Sequence, residues 1–153
     1  MSLFVGESPQ LGLLTTIGSP TSCIPQYEYV EALVQGTAAA TATNYGRVYI
    51  ARRPMKIISA SEVHRTVGSD GGAVTLDLEK VTGTQAEGAG VNMTATNFNL
   101  KGTADTVQTV LPSATVANTL LATGDRIILK DTGVMTAVAD VCVMLTLEYQ
   151  LNP

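Results

Sequence analysis

Apolar and polar residues alternate over the last part of the chain, in a pattern typical of a β-strand. From residue 141 to residue 151, every second position carries Val, Leu or Tyr, and the positions between carry Cys, Met, Thr, Glu and Gln. Because successive side chains of a strand point to opposite faces, this alternation predicts a long strand with one buried face. Such a strand needs a second layer of structure to cover that face.

A second alternating segment, residues 73–81, predicts another half-buried strand. We expect Asp77 and Glu79 to point to solvent, between leucines that face the core. The segment follows Gly-Ser-Asp-Gly-Gly at 68–72, a run that is typical of a tight turn. The sequence therefore predicts a β-hairpin in which 73–81 pairs with residues 55–66.

Further β-prone segments, separated by turn residues, fill the chain after residue 26. They lie at 27–35, 47–52, 55–66, 96–100, 114–122 and 126–130. Together with the two alternating segments they amount to about eight strands with short connections. The sequence thus predicts an all-β fold, an antiparallel jelly-roll-like β-sandwich of about eight strands.

Residues 1–26 differ from the rest and predict an extended N-terminal arm ahead of a β-sandwich domain at 27–153. Pro9, Pro20 and Pro25 remove backbone donors and favour extended geometry. Two interpretations stay open: the arm wraps its own domain, or it docks on a neighbouring molecule. In the second, the contact would be made by the apolar side chains of the arm, Leu3, Phe4, Val5, Leu11, Leu13, Leu14 and Ile17.

The composition is poor in charge, which narrows the classes of function. Charged residues make up 14% of the 153 positions, whereas soluble domains carry about 25%. The formal net charge of −4 argues against nucleic-acid binding, which requires a basic surface. No stretch resembles the ~20 apolar residues that cross a bilayer, and no basic segment precedes an apolar one at the N-terminus. We therefore expect no nucleic-acid partner, no membrane insertion, and synthesis in the cytoplasm without an export signal.

Residue types that support catalysis are few. The chain contains 1 His, so the paired histidines of a metal-binding jelly-roll enzyme are missing. We expect His64 to be a surface or interface side chain. Cys23 and Cys142 lack the spacing of a metal or redox motif and are expected to be buried. The sequence predicts a protein that is not an enzyme and that has no metal, catalytic or cofactor site.

Five of the 9 basic residues lie within 19 positions: Arg47, Arg52, Arg53, Lys56 and Arg65. A single acid, Glu62, lies among them. The run has two interpretations: a solvated face without a partner, or a contact with an acidic surface of a neighbouring subunit. In the second interpretation, Arg47, Arg52 and Arg53 belong to the partner-binding residues.

Three segments resemble the small β-proteins of tailed-bacteriophage heads. They are Gly-Gly-Ala-Val-Thr-Leu-Asp-Leu-Glu-Lys at 71–80, the run from Phe98 to Val107, and the run from Leu120 to Ile127. The family is that of decoration (cement) and head-fibre proteins. The resemblance implies a β-fold, frequently trimeric, that binds the outer surface of the capsid and stabilises it without chemistry. It also implies the partners: the major capsid protein and further copies of the chain, in a homotrimer on the virion surface.

Two other function classes stay open. Tyr27, Tyr29, Tyr45 and Tyr49 cluster in the first half of the chain, and exposed aromatic rings are what glycan-binding sandwiches use. A glycan- or receptor-binding module of a virion is therefore the alternative to a decoration protein. An enzyme ranks third, because a lone histidine and dispersed acids do not form a catalytic arrangement.

Overall fold

The computed structural model describes residues 25–37, 46–86 and 88–150, and of residues 34–37 and 46–47 it describes the backbone. This part of the chain contains ten strands and one short helix. The strands are β1 (Tyr27–Thr37), β2 (Gly46–Ile50), β3 (Met55–Thr66), β4 (Thr75–Val81), β5 (Val91–Asn92), β6 (Phe98–Asn99), β7 (Gln108–Val110), β8 (Leu120–Leu121), β9 (Arg126–Thr132) and β10 (Ala139–Tyr149). The helix α1 (Val116–Thr119) precedes β8. Among these described elements, no helix has the length and apolar content needed to cross a bilayer.

The strands form two antiparallel sheets whose order is that of a jelly roll. Sheet A has the order β1-β10-β3-β7, with β8 also on β3, and sheet B has the order β2-β9-β4-β5, with β6 also on β4. The first strand thus pairs with the last, the second with the last but one, and so inward along the chain. This is the pairing of one long hairpin rolled into two Greek keys. The predicted all-β, jelly-roll-like sandwich is confirmed.

The core lies between the sheets and follows the alternation seen in the sequence. On β10, Val141, Val143, Leu145 and Leu147 are each at most 1% exposed, and the residues between them are partly or fully accessible. On β4, leucines at the inward positions meet the inward side chains of β9, including Leu129. Both strands therefore place their side chains as the period-two pattern predicts.

The predicted hairpin between β3 and β4 is wrong, because the two strands belong to different sheets. The glycine-rich segment 68–72 crosses from sheet A to sheet B instead of turning back. Its amides bond to remote loops: Gly68 N donates to Leu100 O at 2.9 Å and Ser69 N to Thr136 O at 3.0 Å. None of its three glycines has a positive φ, so the backbone conformation of a two-residue hairpin turn is absent here.

A glycine that the fold requires lies further along, after β9. Gly133 has φ +94°, and a Cβ atom there would overlap the carbonyl oxygen of Ala73. Both the positive φ and the close approach of the two backbones need a residue without a side chain. This contact holds the end of β9 against the start of β4.

The segment predicted as a strand at 114–122 divides into the α1 turn and the two-residue strand β8. Lys80 explains how the turn is held, because its ammonium group donates to two carbonyls there. Its Nζ lies 2.6 Å from Ala117 O and 2.9 Å from Leu120 O. The cation thus satisfies carbonyl groups that the end of a helical turn leaves without an intrahelical donor.

Two acids expected to face solvent are buried on the outer side of sheet B. Asp77 is 8% and Glu79 6% exposed. Lys130 of β9 lies across from them, with its Nζ 2.9 Å from Glu79 Oε1. The hydrogen bond to Glu79 raises the pKa of Lys130, and burial raises the pKa of Asp77. The orientation predicted from the alternation holds, but the expected exposure does not.

Candidate functional site

The basic run of the sequence does not form one patch. Arg52 and Arg53 follow β2 and lie at the open edge of the sandwich, whereas Lys56 and Arg65 lie on the outer face of sheet A. Arg65 is nine positions after Lys56 along β3, which corresponds to roughly 30 Å. Arg65 contacts Asp140 at 3.8 Å, and Glu62, the acid within the run, is buried.

At the edge between β1 and β2, the chain forms an open cleft of about 740 Å³. Its lining residues are Glu28, Val48, Tyr49, Ile50, Arg52, Arg53 and Tyr149. We call this the edge cleft. Glu28 and Tyr149 come from sheet A and Tyr49 from sheet B, so the cleft exists only when the two sheets pack together.

A carboxylate held by two tyrosines forms the polar centre of the edge cleft. Glu28 Oε2 accepts hydrogen bonds from Tyr49 Oη at 3.0 Å and from Tyr149 Oη at 2.6 Å. Tyr49 Oη also lies 3.0 Å from the sulfur of Met55. Glu28 is the register partner of the buried Leu147, so its side chain points to the inner face of sheet A.

The surroundings of the two tyrosines raise the pKa of both hydroxyl groups. Burial, followed by the hydrogen bond to Glu28, raises the pKa of Tyr49 to about 12. The hydrogen bond to Glu28 also raises the pKa of Tyr149. The positive charges of Arg52 and Arg53, which line the same cleft, act in the opposite direction on the pKa of Tyr149.

The backbone holds the two arginines from both sides. Ala51, which precedes them, donates its N–H to Asp125 O at 2.8 Å and accepts from Gly124 N at 2.7 Å. Pro54, which follows them, accepts from Gln150 N at 3.0 Å. Arg53 also stacks on Tyr149, with its guanidinium carbon 4.6 Å from the ring centroid. The chain therefore presents both guanidinium groups on a fixed segment.

The structure brings Arg52 and Arg53 together. Of the other predicted partner-binding residues, it describes only the backbone of Arg47. The backbone of Arg47 is in β2, next to a β-bulge between Arg47 and Tyr49, but its side chain is not described. The apolar residues of the arm, from Leu3 to Ile17, lie outside the described residues, as does Cys23. Their roles remain predictions.

Comparisons with known proteins place the fold among those of phage capsids. No protein-family model matches the chain, and no curated protein matches it. A chain from the capsid asymmetric unit of cyanophage Pam1 aligns with a TM-score of 0.54 and 11% identity, covering 97% of this chain and 100% of that one. A chain from the capsid of Ralstonia phage GP4 aligns with a TM-score of 0.57 and 13% identity, covering 85% and 86%. The likeness is one of fold.

A third alignment is too weak to support an argument. It joins the chain to a pilus protein of Bacillus endospore appendages with a TM-score of 0.33 and 18% identity, over 85% of this chain and 93% of that one. The two phage alignments extend over most of each partner. In particular, the Pam1 chain and this chain match from end to end, so they share a whole fold and not a local motif.

A second polar cluster lies inside the sandwich, and the prediction that His64 is a surface or interface residue is wrong. His64 is 0% and Glu62 1% exposed. His64 Nδ1 lies 2.9 Å from Glu62 Oε1, and His64 Nε2 lies 3.4 Å from Gly102 O. Gln108 Nε2 donates to the other oxygen of Glu62 at 2.9 Å and to Asn99 O at 2.8 Å. We call Glu62, His64 and Gln108 the core triad.

The partners of the core triad restrict where its protons can lie. Gly102 O can only accept, so the bond to His64 Nε2 requires a proton on that nitrogen. His64 Nδ1 then either accepts from a protonated Glu62 or donates to its carboxylate. Burial raises the pKa of Glu62, although His64 acts against this, and the raised pKa favours the protonated form of the Glu62 carboxyl group.

The outer face of sheet A carries several exposed apolar side chains. Tyr29 is 70%, Leu33 56% and Met144 48% exposed on neighbouring strands. Cys142 lies on the same face, half-buried and with its thiol 3.6 Å from Glu31 Oε1, so the expectation of a core cysteine is wrong. Burial raises the pKa of this thiol, which makes it a poor nucleophile.

Among the residues that the structure describes, no group of three or more His, Cys, Asp or Glu side chains is arranged to hold a metal ion. The edge cleft is accessible and carries two cations, whereas Glu62 and His64 of the core triad are buried and only Gln108 is partly exposed. Of the two, the edge cleft is the candidate site for a partner.

Proposed function

We propose that this protein is a structural component of a phage virion that binds the outer surface of the capsid and stabilises it. The observation that carries the proposal is the jelly-roll fold matched from end to end by a chain of a phage capsid asymmetric unit. The chemistry of the described residues supports it: Glu62 and His64 are buried in the core, and the accessible groups of the edge cleft are suited to contact. Fold alone supports many functions, so the proposal needs a direct test of capsid binding.

The arm, residues 1–26, is the proposed anchor on the capsid, through the apolar side chains named above. Many copies on a shell bind by multiplicity, so each contact need bury only a modest area. In the proposed complex, the major capsid protein supplies the surface that receives these side chains. The domain at 27–153 would then be the body that stands on the shell.

Self-association, as a homotrimer, is the second part of the proposal. The outer face of sheet A offers three neighbouring strands about eleven residues long, which corresponds to roughly 36 by 14 Å, or about 500 Å². Stable interfaces bury about 800 Å² on each partner, so this face would supply more than half of one. A cyclic trimer joins two different surfaces of each copy, and the second surface would supply the rest.

Light scattering and co-pelleting test the two parts separately. We expect a solution mass of three times the 16.0 kDa chain and co-pelleting with expanded phage heads that lack decoration. Removal of residues 1–24 should abolish pelleting and leave the fold intact. The deletion stops there because Gln26 O accepts a hydrogen bond from Tyr149 N at 2.9 Å. A monomer that stays in the supernatant would overturn the proposal.

A matched pair of variants tests the sheet A face. Leu33→Lys places a charge on the proposed interface and should convert the trimer to monomers. Val116→Lys is the control, because Val116 on α1 is 61% exposed and Leu33 is 56% exposed. If both variants keep the trimer, the face is not the contact between copies.

A glycan-binding module is the second candidate, supported by two aromatic rings. Tyr27 and Tyr29 point outward from the same face of β1 and are 47% and 70% exposed. Adjacent exposed rings can stack on sugars. A glycan array distinguishes the candidates: a specific hit that Tyr29→Ala abolishes would favour this module, and an array without hits would remove it.

A further inference from the structure

We propose that the edge cleft binds an acidic side chain carried by an extended segment of a protein partner. The inference rests on the proposed function only for the identity of the partner. The chemistry of the ligand follows from the cleft itself. The proposal names the ligand for the contact that the sequence predicts between the basic run and an acidic surface.

The charge of the edge cleft favours an acidic ligand. The cleft is lined by Arg52, Arg53 and one acid, Glu28, so its lining carries a net positive charge. Within the described residues, neither guanidinium has a carboxylate within 4.0 Å. The Oε2 atom of Glu28 is already engaged by two tyrosines. Two guanidinium groups without a carboxylate partner are complementary to a carboxylate, which they can bind through paired N–H donors.

The segment that carries the two arginines is held in place before a ligand binds. Hydrogen bonds before and after the arginines fix their backbone, and Arg53 rests on the ring of Tyr149 at 4.6 Å. Stacking covers one face of a guanidinium and leaves its N–H edge available. A partner therefore meets a fixed backbone segment and an Arg53 guanidinium group that is already held in place, which reduces the entropy lost on binding.

The shape of the sheet edge beside the cleft fits an extended ligand. β2 forms one end of the described order of sheet B and pairs with β9 on one side only. An extended segment can pair with such an edge through its backbone. Val48 and Ile50 add an apolar wall, and Ile50 is 57% exposed. These features fit a β-strand-like segment in which an Asp or Glu alternates with apolar residues.

The test is an amide NMR titration of the full chain with two capped peptides that differ in one side chain. The probes are acetyl-Thr-Val-Glu-Val-Thr-amide and the same peptide with Gln in place of Glu. We expect the Glu peptide to shift the amides of residues 48–53 and the Gln peptide to bind about tenfold more weakly, since the loss is that of one charged contact. Added salt should weaken only the Glu peptide.

We expect three variants to affect the affinity for the Glu peptide in three different ways. Arg52→Gln should weaken the Glu peptide about tenfold. Glu28→Gln should strengthen it several-fold, because it removes the negative charge from the lining and keeps an acceptor for the tyrosines. Arg65→Gln is the matched control: it removes an arginine from the same sequence run but from another surface, and it should change nothing.

Four results would overturn the inference: equal binding of both peptides, no shifts at millimolar peptide, shifts that map to another surface, or equal loss in Arg52→Gln and Arg65→Gln. The outcome is separable from the proposed function. Peptide binding without co-pelleting would keep the site and reject the capsid as its partner. Co-pelleting without peptide binding would keep the virion role and reject this site.

Discussion

Two glutamates point inward from sheet A, and they differ in their exposure and in the groups that they contact. Glu28 lies on the edge strand β1, accepts from two tyrosines and lines an open cleft. Glu62 lies on the central strand β3, contacts His64 and Gln108, and is 1% exposed. The residue type and the face of the sheet are the same. What differs is the distance from the edge of the sandwich, and that distance decides whether a carboxyl group can meet a partner or only stabilise the fold.

The comparison separates two roles of polar groups inside a β-sandwich. In the core triad, each hydrogen-bonding atom named above has a protein partner, because Glu62 and His64 are buried and an unpaired group there is destabilising. In the edge cleft, Glu28 and the two arginines keep contact with solvent. Groups of that kind lose little when they are free and gain when a partner arrives.

The largest expected effect is on the triad. His64→Ala leaves a cavity and an oxygen of Glu62 without its buried partner, so the protein should lose about 3 to 5 kcal/mol of unfolding free energy. Chemical denaturation followed by circular dichroism measures this loss. The control in the cleft is Tyr149→Phe, which removes a hydrogen bond at an accessible site and should cost about 1 kcal/mol. Equal losses would contradict the comparison.

The pH dependence of stability should be the next largest effect. Burial raises the pKa of Glu62, Asp77 and Asp131 in the folded state. The folded protein therefore holds protons that the unfolded chain has released. This stabilisation is complete below the ordinary carboxyl pKa and is lost as the pH rises through the raised folded values. Denaturation at a series of pH values should show decreasing stability across that range.

Glu62→Gln resolves which proton arrangement the triad has. A side-chain amide can donate to His64 Nδ1 and accept from Gln108, as a protonated carboxyl does. The variant should therefore keep most of the stability and lose part of the pH dependence. A loss as large as that of His64→Ala would instead indicate a charged pair.

The overall fold could be predicted from the sequence, because alternation over β4 and β10 fixes two long strands and their buried faces. The face of a strand beyond a β-bulge could not be predicted. In β3 the register shifts opposite Thr146 and Leu147. Met55 and Ile57 face inward before this point, whereas Ala60, Glu62 and His64 face inward after it. One extra residue moves every later side chain to the other face, and the core triad is inward for that reason.

The edge cleft could be predicted only in part. The basic run singles out Arg52 and Arg53. No sequence pattern connects them to Glu28 or Tyr149, which are far away in the sequence. The cleft forms because the jelly roll places the first, second and last strands at one edge. A second bulge, beside Tyr49, turns that ring inward. Contacts of this kind follow from topology, and a sequence pattern with a period of two does not contain them.

A smaller effect is expected in the cleft itself. Glu28→Gln removes the negative charge that the two hydroxyls face, so the pKa of Tyr49 should fall from about 12 towards its ordinary value of 10.0. Ultraviolet titration of tyrosinate absorbance measures it. Stability should change by about 1 kcal/mol or less, because the amide oxygen still accepts. An unchanged pKa would mean that burial alone keeps this hydroxyl protonated.

The smallest effect should come from the exposed end of the basic run. Arg65 contacts Asp140 at 3.8 Å, with side chains 75% and 37% exposed, and pairs so accessible to water contribute about 0 to 1 kcal/mol. Arg65→Gln should therefore leave the unfolding free energy within about 0.5 kcal/mol of the original, as denaturation at low and at high salt would show. Arg65 shares its strand with His64, so the two variants compare adjacent positions on opposite faces. A loss for Arg65→Gln that approached the loss for His64→Ala would mean that strand position, and not burial, controls the effect, and the contrast between the two glutamates would fail with it.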